Sequence, residues 1–132
     1  MNEAVSAILY PTVLLAEDSQ DTRIMLKRAF EMKGYQVLEA ADGQEALNIA
    51  RHYKPSLIVI DLNMPVLDGL ETVKSFRKLE APGEQVPIVA ITAYDVPGME
   101  EFALETGCNK YLSKPLDLAE LDRTLKSLGF II

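Results

Sequence analysis

The chain has 132 residues, of which 13 are basic and 20 are acidic, so its formal net charge is −7. That length fits one domain that folds without disulfides or a structural metal, and 48% hydrophobic residues is typical of a globular protein. The acidic balance argues against a nucleic-acid-binding surface or attachment to an anionic membrane. We therefore expect one domain, with no room beside it for a DNA-binding, kinase or transmembrane module.

The chain ends and the single cysteine indicate a compartment. Residues 1–11 carry Glu3 and lack the basic region of a signal peptide, and no apolar run approaches the roughly 20 residues that span a bilayer. Cys108 is the only cysteine, so it cannot form an internal disulfide, which suits a reducing environment. We predict a cytoplasmic protein with a short extension at 1–11, a domain at 12–129 and a tail at 130–132.

Short apolar segments alternate along the chain with segments of helical spacing. The apolar segments, which are rich in branched residues, are 12–16, 36–40, 57–60, 86–91 and the weaker 110–112. The helical segments are one that ends before Gly34, one capped by Asp42, one over 70–79, one over 99–105 and one that starts at Asp117. This order predicts an α/β protein with a doubly wound, five-stranded parallel sheet and helices on both faces. Ligands of such sheets bind beyond the carboxyl ends of the strands, where the strand order reverses.

Three carboxylates come directly after apolar strands in this prediction. Glu17 and Asp18 follow the first strand, and Asp61 follows the third. Like charges crowded at one edge resist ionising, and a hard divalent cation such as Mg²⁺ relieves their repulsion through oxygen ligands. Glu17 and Asp18 have a second interpretation as caps of the first helix, whose N-terminus favours negative charge. Asp61 has no evident capping role, which favours the metal interpretation.

Two other polar groups end the fourth and fifth strands. Taken alone, Thr92 is an ordinary turn residue, and Lys114 is a surface residue or a structural counter-ion. Beside three acids, the lysine can place a positive charge on a phosphoryl oxygen, and the hydroxyl can donate to another. With a carboxylate nucleophile and Mg²⁺, this set suits phosphoryl transfer, and an acyl phosphate on Asp61 is the covalent product.

Over about residues 11 to 129 the chain resembles the receiver domain of two-component response regulators. The motifs that carry the resemblance are Leu14-Leu15-Ala16-Glu17-Asp18, Ile60-Asp61-Leu62-Asn63-Met64-Pro65 with Asp68-Gly69, Ile91-Thr92-Ala93, and Tyr111-Leu112-Ser113-Lys114-Pro115. Each motif is weak by itself, but four in this order, each at a predicted strand end, form a specific pattern. The resemblance implies a flavodoxin-like (βα)5 fold with strand order 2-1-3-4-5.

The resemblance also implies a role for each matching residue. Asp61 would accept a phosphoryl group from a phosphohistidine of a sensor kinase or phosphotransfer protein. The protein would catalyse its own phosphorylation and dephosphorylation without turning over an external substrate. The other implied roles are Mg²⁺ ligation by Glu17, Asp18, Asp61 and the backbone carbonyl of Asn63, phosphoryl contacts from Thr92 and Lys114, a switch made by Thr92 and Tyr111, and a cis Lys114–Pro115 peptide.

Phosphorylation would then repack the face made by the fourth helix, the fifth strand and the fifth helix. That face would bind a downstream protein or a second receiver, giving a phosphorylation-dependent dimer. Aspartate-nucleophile phosphatases of the haloacid dehalogenase type are an alternative, but they normally carry a second Asp where this chain has Asn63. A phosphate-independent interaction module would need a broken site, and a flavin carrier of the same topology would need a phosphate loop where Glu17 and Asp18 stand.

Overall fold

A computed structural model describes residues 11–64 and 68–130 of the chain. Most of the predicted N-terminal extension, all but the first residue of the predicted tail, and Pro65 of the second motif lie outside the described residues. Five parallel strands form one sheet in the order β2-β1-β3-β4-β5, with β1 at Thr12–Ala16, β2 at Gln36–Ala40, β3 at Leu57–Asp61, β4 at Ile88–Thr92 and β5 at Lys110–Ser113. The helices are α1 at Gln20–Met32, α2 at Gly43–His52, α3 at Gly69–Leu79, α4 at Met99–Thr106 and α5 at Leu118–Ser127. The predicted fold class and strand order are confirmed.

The sheet is covered on both faces, which explains the near-continuous apolar runs of its strands. Successive β1 residues point to opposite faces, so Val13 and Leu15 join one buried cluster and Leu14 joins the other. The first cluster contains Phe30 and other residues of α1 and α5, and the second contains Phe76 and other residues of α2, α3 and α4. Each fully buried Leu or Phe contributes about 2 kcal/mol through the hydrophobic effect. No helix in the described residues has both the length and the apolarity needed to cross a bilayer.

Side-chain caps fix where several helices begin. The predicted cap Asp42 is confirmed, because its carboxylate accepts the Glu45 N–H at 2.8 Å. Asp117, predicted as the start of the fifth helix, caps α5 by accepting the Ala119 N–H at 2.9 Å. The cap of α1 is Ser19, whose hydroxyl accepts the Thr22 N–H at 3.4 Å. The interpretation of the first two acids as caps of this helix is therefore wrong.

The start of β4 differs from the prediction by two residues. The apolar pattern predicted a strand from residue 86, but β4 begins at Ile88. Pro87 has no N–H to donate to a sheet ladder, and the N–H of Val86 donates instead to Glu80 Oε2 at 2.6 Å. The other four predicted strands match the structure to within one residue at each end.

Candidate functional site

The three predicted acids meet where the strand order reverses. Glu17 and Asp18 follow β1, Asp61 ends β3, and these two strands are neighbours in the sheet. One carboxylate oxygen of each residue lies within 4.8 Å of the other two. Glu17 is 0% exposed and Asp61 is 3% exposed, whereas Asp18 faces solvent. Two of the three charges are therefore held away from bulk water.

Lys114 joins this cluster from the loop after β5. Its Nζ donates to Glu17 Oε1 at 2.5 Å and to Asp61 Oδ2 at 3.0 Å. The backbone N–H of Lys114 donates to the Thr92 carbonyl at 2.8 Å, and the Lys114–Pro115 peptide is cis, as the family resemblance implied. Burial disfavours the charged form of Lys114, but the hydrogen bonds to Glu17 and Asp61 outweigh it and raise the lysine pKa.

The surroundings of the Glu17 carboxylate are unfavourable for a negative charge. Oε2 is buried and has no hydrogen-bond partner among the described residues. Burial, followed by the neighbouring Asp61 carboxyl, raises the pKa of Glu17 well above its usual range, although Lys114 acts in the opposite direction. A buried carboxylate oxygen without a partner is costly, and a hard cation would satisfy it. The donor set of Glu17, Asp18 and Asp61 therefore fits Mg²⁺.

An open cleft of about 430 Å³ lies beside Asp61. Asn63 donates its backbone N–H to Asp61 Oδ1 at 2.9 Å, so each oxygen of this carboxylate has a partner. Thr92 lines the same cleft, and its hydroxyl oxygen accepts the Tyr94 N–H at 3.0 Å. The residues that line the cleft are Asp61, Leu62, Asn63, Leu70, Thr92, Ala93, Tyr94 and Met99. A group of phosphoryl size can therefore reach the carboxylate from solvent.

Tyr111, the predicted switch aromatic, does not line this cleft. It is half-buried on β5, and its hydroxyl donates to Asp95 Oδ1 at 2.9 Å. Burial and then the Asp95 carboxylate raise the pKa of Tyr111 to about 12. Asp95 was not among the predicted site residues, because nothing in the spacing of a β4–α4 loop residue pairs it with the fifth strand.

Two other residues near the site were assigned no role from the sequence. Gly69 lies so close to the end of β3 that an added Cβ would stand 2.4 Å from Leu62 Cα. Arg23, in α1, donates from Nη1 to the Glu17 carbonyl at 2.8 Å. Gly69 had a sequence signal, an Asp-Gly pair that is also ordinary turn chemistry. Arg23 had none, since a charged residue on an exposed helix face is the common case.

The chain matches the response regulator receiver domain over residues 13–126. It belongs to that family. Receiver domains of the family act in phosphorelay signalling with histidine kinases and phosphotransfer proteins. The observed (βα)5 topology is the fold of these domains.

Two curated relatives illustrate the range of the family. The transcriptional regulatory protein PrrA of Mycobacterium tuberculosis is 37% identical over 123 residues, which are 93% of this chain and 52% of PrrA. The chain thus spans about half the length of that relative. The polar-differentiation response regulator DivK of Brucella anthropi is 33% identical over 116 residues, which are 88% of this chain and 94% of DivK.

Two solved structures bear on the chemistry of the site. The receiver domain of the Pseudomonas aeruginosa sensor histidine kinase PA1611, which holds a magnesium ion in its active-site cleft, superposes with a TM-score of 0.80 at 35% identity, covering 89% of this chain and 96% of that one. The receiver domain of Saccharomyces cerevisiae Ssk1, solved with the histidine phosphotransfer protein Ypd1, gives a TM-score of 0.83 at 32% identity, covering 91% of this chain and 89% of that one.

Proposed function

We propose that residues 12–129 form a phosphorylation-dependent signalling switch that takes a phosphoryl group onto Asp61. The observation that carries the proposal is the surroundings of Asp61: an open cleft on one side, Lys114 Nζ at 3.0 Å, and two further carboxylates within 4.8 Å. We propose a phosphohistidine of a sensor kinase or phosphotransfer protein as the donor. The solved complex of the Ssk1 receiver with Ypd1 supports that class of partner.

The transfer exchanges one bond to phosphorus for another. A carboxylate oxygen of Asp61 forms the new O–P bond while the N–P bond to the donor imidazole breaks, and the imidazole leaves with the electron pair of that bond. Glu17, Asp18, Asp61 and the backbone carbonyl of Asn63 would hold Mg²⁺, which when bound neutralises charge on the phosphoryl oxygens. Lys114 places a second positive charge beside the same oxygens, and the Thr92 hydroxyl, which lines the cleft, donates to another.

The phosphoryl group would also change the balance of contacts around Lys114. Its ammonium group is shared between Glu17 and Asp61, and a dianionic group on Asp61 competes for it and for the Thr92 hydroxyl. Thr92 precedes the loop that carries Asp95, the partner of Tyr111. Movement of Thr92 would therefore act on the hydrogen bond between Tyr111 and Asp95, and so on the face of α4, β5 and α5.

The two helices of that face each carry an exposed apolar side chain. Phe102 of α4 and Leu118 of α5 are 50% and 45% exposed. We propose that the phosphorylated form binds a downstream protein, or a second receiver as a dimer, through this face. Size-exclusion chromatography with light scattering, with and without phosphodonor, distinguishes the dimer from a hetero-complex.

Acetyl phosphate with Mg²⁺ tests the phosphoacceptor. We expect intact-mass spectrometry to show one added phosphoryl group on the wild type and none on Asp61→Asn, with loss of labelling when Mg²⁺ is chelated. Asp42→Asn is the matched control: the same carboxylate-to-amide change at a helix cap, where Asn serves as well as Asp. Labelling of Asp61→Asn, or an unlabelled wild type, contradicts the proposal.

A phosphorylated histidine phosphotransfer protein tests the donor class. We expect its label to move to the wild type and to stop at one group per chain. Steady release of phosphate from a small phosphate monoester would instead favour the aspartate-nucleophile phosphatase. Equal partner binding by the wild type and Asp61→Ala would favour the phosphate-independent module.

A further inference from the structure

The short loop between β1 and α1 carries two of the three acids of the site. Its first residue, Glu17, is fixed at both of its backbone polar groups. The Glu17 N–H donates to the Ala40 carbonyl of β2 at 3.0 Å, and the Glu17 carbonyl accepts from Arg23 Nη1 at 2.8 Å. The side chain of Asp18, in contrast, makes no hydrogen bond or ion pair within the described residues. The direction of the Asp18 carboxylate therefore depends on the backbone that carries it.

Arg23 contacts one peptide group of that backbone. The carbonyl it binds belongs to the peptide group between Glu17 and Asp18, and a peptide group is planar from one Cα to the next. Fixing the direction of this carbonyl therefore fixes the plane that relates the Cα atoms of the two acids. Rotation of the plane would swing the Asp18 carboxylate relative to Glu17 and Asp61.

The guanidinium of Arg23 is itself held in one orientation. Its Nε lies 3.5 Å from Glu39 Oε1 on β2, while Nη1 serves the Glu17 carbonyl. The side chain is 20% exposed, and the rigid guanidinium fork lets the two contacts define its plane. Lys27, one turn further along α1, pairs with the other oxygen of Glu39 at 3.2 Å but does not bond to the loop. Arg23 and Lys27 thus both pair with Glu39, but only Arg23 also donates to the loop.

We propose that Arg23 is a positioning residue for the divalent cation of this site: it holds the Glu17–Asp18 peptide so that the acids converge. This inference rests on the proposed function, because it concerns the same cation. It makes a prediction opposite in sign to simple electrostatics. Removing a nearby positive charge should by itself tighten binding of Mg²⁺, whereas loss of the positioning contact should weaken it. Residues that orient metal ligands typically contribute about 10- to 100-fold in affinity.

Mg²⁺ titration of the unphosphorylated protein, followed by amide NMR shifts of the loop, tests the inference. We expect Arg23→Ala to raise the Kd for Mg²⁺ about 10-fold, and Lys27→Ala to leave it unchanged or slightly lower. Arg23→Lys, which keeps the charge but not the fork, should fall between the wild type and Arg23→Ala. In metal-free protein, hydrogen exchange of the Asp18 amide should accelerate in Arg23→Ala and not in Lys27→Ala.

The outcomes separate this inference from the proposed function. If the wild type binds Mg²⁺ and Arg23→Ala binds it equally well or more tightly, the positioning role is wrong and the proposed function stands. Equal weakening in Arg23→Ala and Lys27→Ala also overturns it, because the loop contact would then be irrelevant. A wild type that binds no Mg²⁺ removes both. If Arg23→Ala does not fold, Arg23→Lys carries the comparison.

Discussion

Replacing Gly69 by alanine tests how tightly α3 is set against the strand that ends in Asp61. An ideal Cβ at Gly69 would lie 2.4 Å from Leu62 Cα and 2.5 Å from the Asp61 carbonyl oxygen. Both neighbours are backbone atoms, which cannot rotate away. Carbon atoms in ordinary contact are about 3.5–4.0 Å apart, so the start of α3 and the end of β3 must separate by about 1 Å.

The cost follows from that displacement. Overpacking of this kind costs about 1–3 kcal/mol, and weakening the Gly69 N–H bond to the Leu62 carbonyl, which is 3.2 Å long, adds about 1 kcal/mol. The better helix propensity of alanine returns at most about 1 kcal/mol. We therefore expect the free energy of unfolding to fall by about 2 kcal/mol, and Tm to fall by about 6–8 °C for a chain of this size. Because the displaced backbone carries Asp61, labelling by acetyl phosphate should slow as well.

Urea unfolding followed by circular dichroism measures the first effect, and intact-mass labelling measures the second. Gly34→Ala is the matched control, since its Cβ would meet nothing within 4 Å. Gly34 has a φ of +92°, so this control should lose about 1–2 kcal/mol through backbone strain alone, with phosphorylation unaffected. A Gly69→Ala protein as stable as the wild type, and labelled at the same rate, would refute the packing argument.

Three further predictions concern residues away from the cleft. Arg77→Ala should lower the free energy of unfolding by about 3–5 kcal/mol in urea titrations, because Arg77 donates to the Gly107 and Val86 carbonyls and is the ion-pair partner of the half-buried Glu80. Arg77→Lys should recover only part of that loss. Burial raises the pKa of Cys108 to about 11 in the folded protein, whereas the thiol of the unfolded chain has a pKa of about 8.5. Burial of the neutral thiol therefore contributes its full stabilisation at pH values below the pKa of the unfolded chain. As pH rises from there toward 11, the stability advantage of the wild type over Cys108→Ala should fall by about 1.4 kcal/mol per pH unit, and a constant difference would contradict the burial argument. Asp95→Ala should lower the pKa of Tyr111 in NMR titrations of the tyrosine rings, whereas Asp117→Ala should leave it unchanged.

The arrangement at the strand ends was predictable from sequence because the carboxyl ends of parallel strands lie at the same edge of the sheet. Apolar runs followed directly by Glu17-Asp18 and by Asp61 put three acids at one edge, and adjacent strands are about 4.8 Å apart. The structure places one oxygen of each acid within 4.8 Å of the others. The cap Asp42 was predictable for a similar reason, since its partner lies three residues away in the same chain segment.

Contacts between long side chains and other helices, strands or loops are not restricted to one edge of the sheet in this way. β5 lies two strands from β3, about 10 Å away in the sheet, so nothing in the sequence required Lys114 to reach both Asp61 and Glu17. Arg23 and Asp95 lie in a helix and a loop, and no motif in the sequence assigned a partner to either residue. Each acquires a specific partner because the backbone around it is fixed by core packing elsewhere. The convergence of the acids could thus be predicted from strand ends, whereas the contacts of Gly69 and Arg23 depend on the packed structure. Substitutions at Gly69 and Arg23 therefore test features of the site that the sequence alone does not predict.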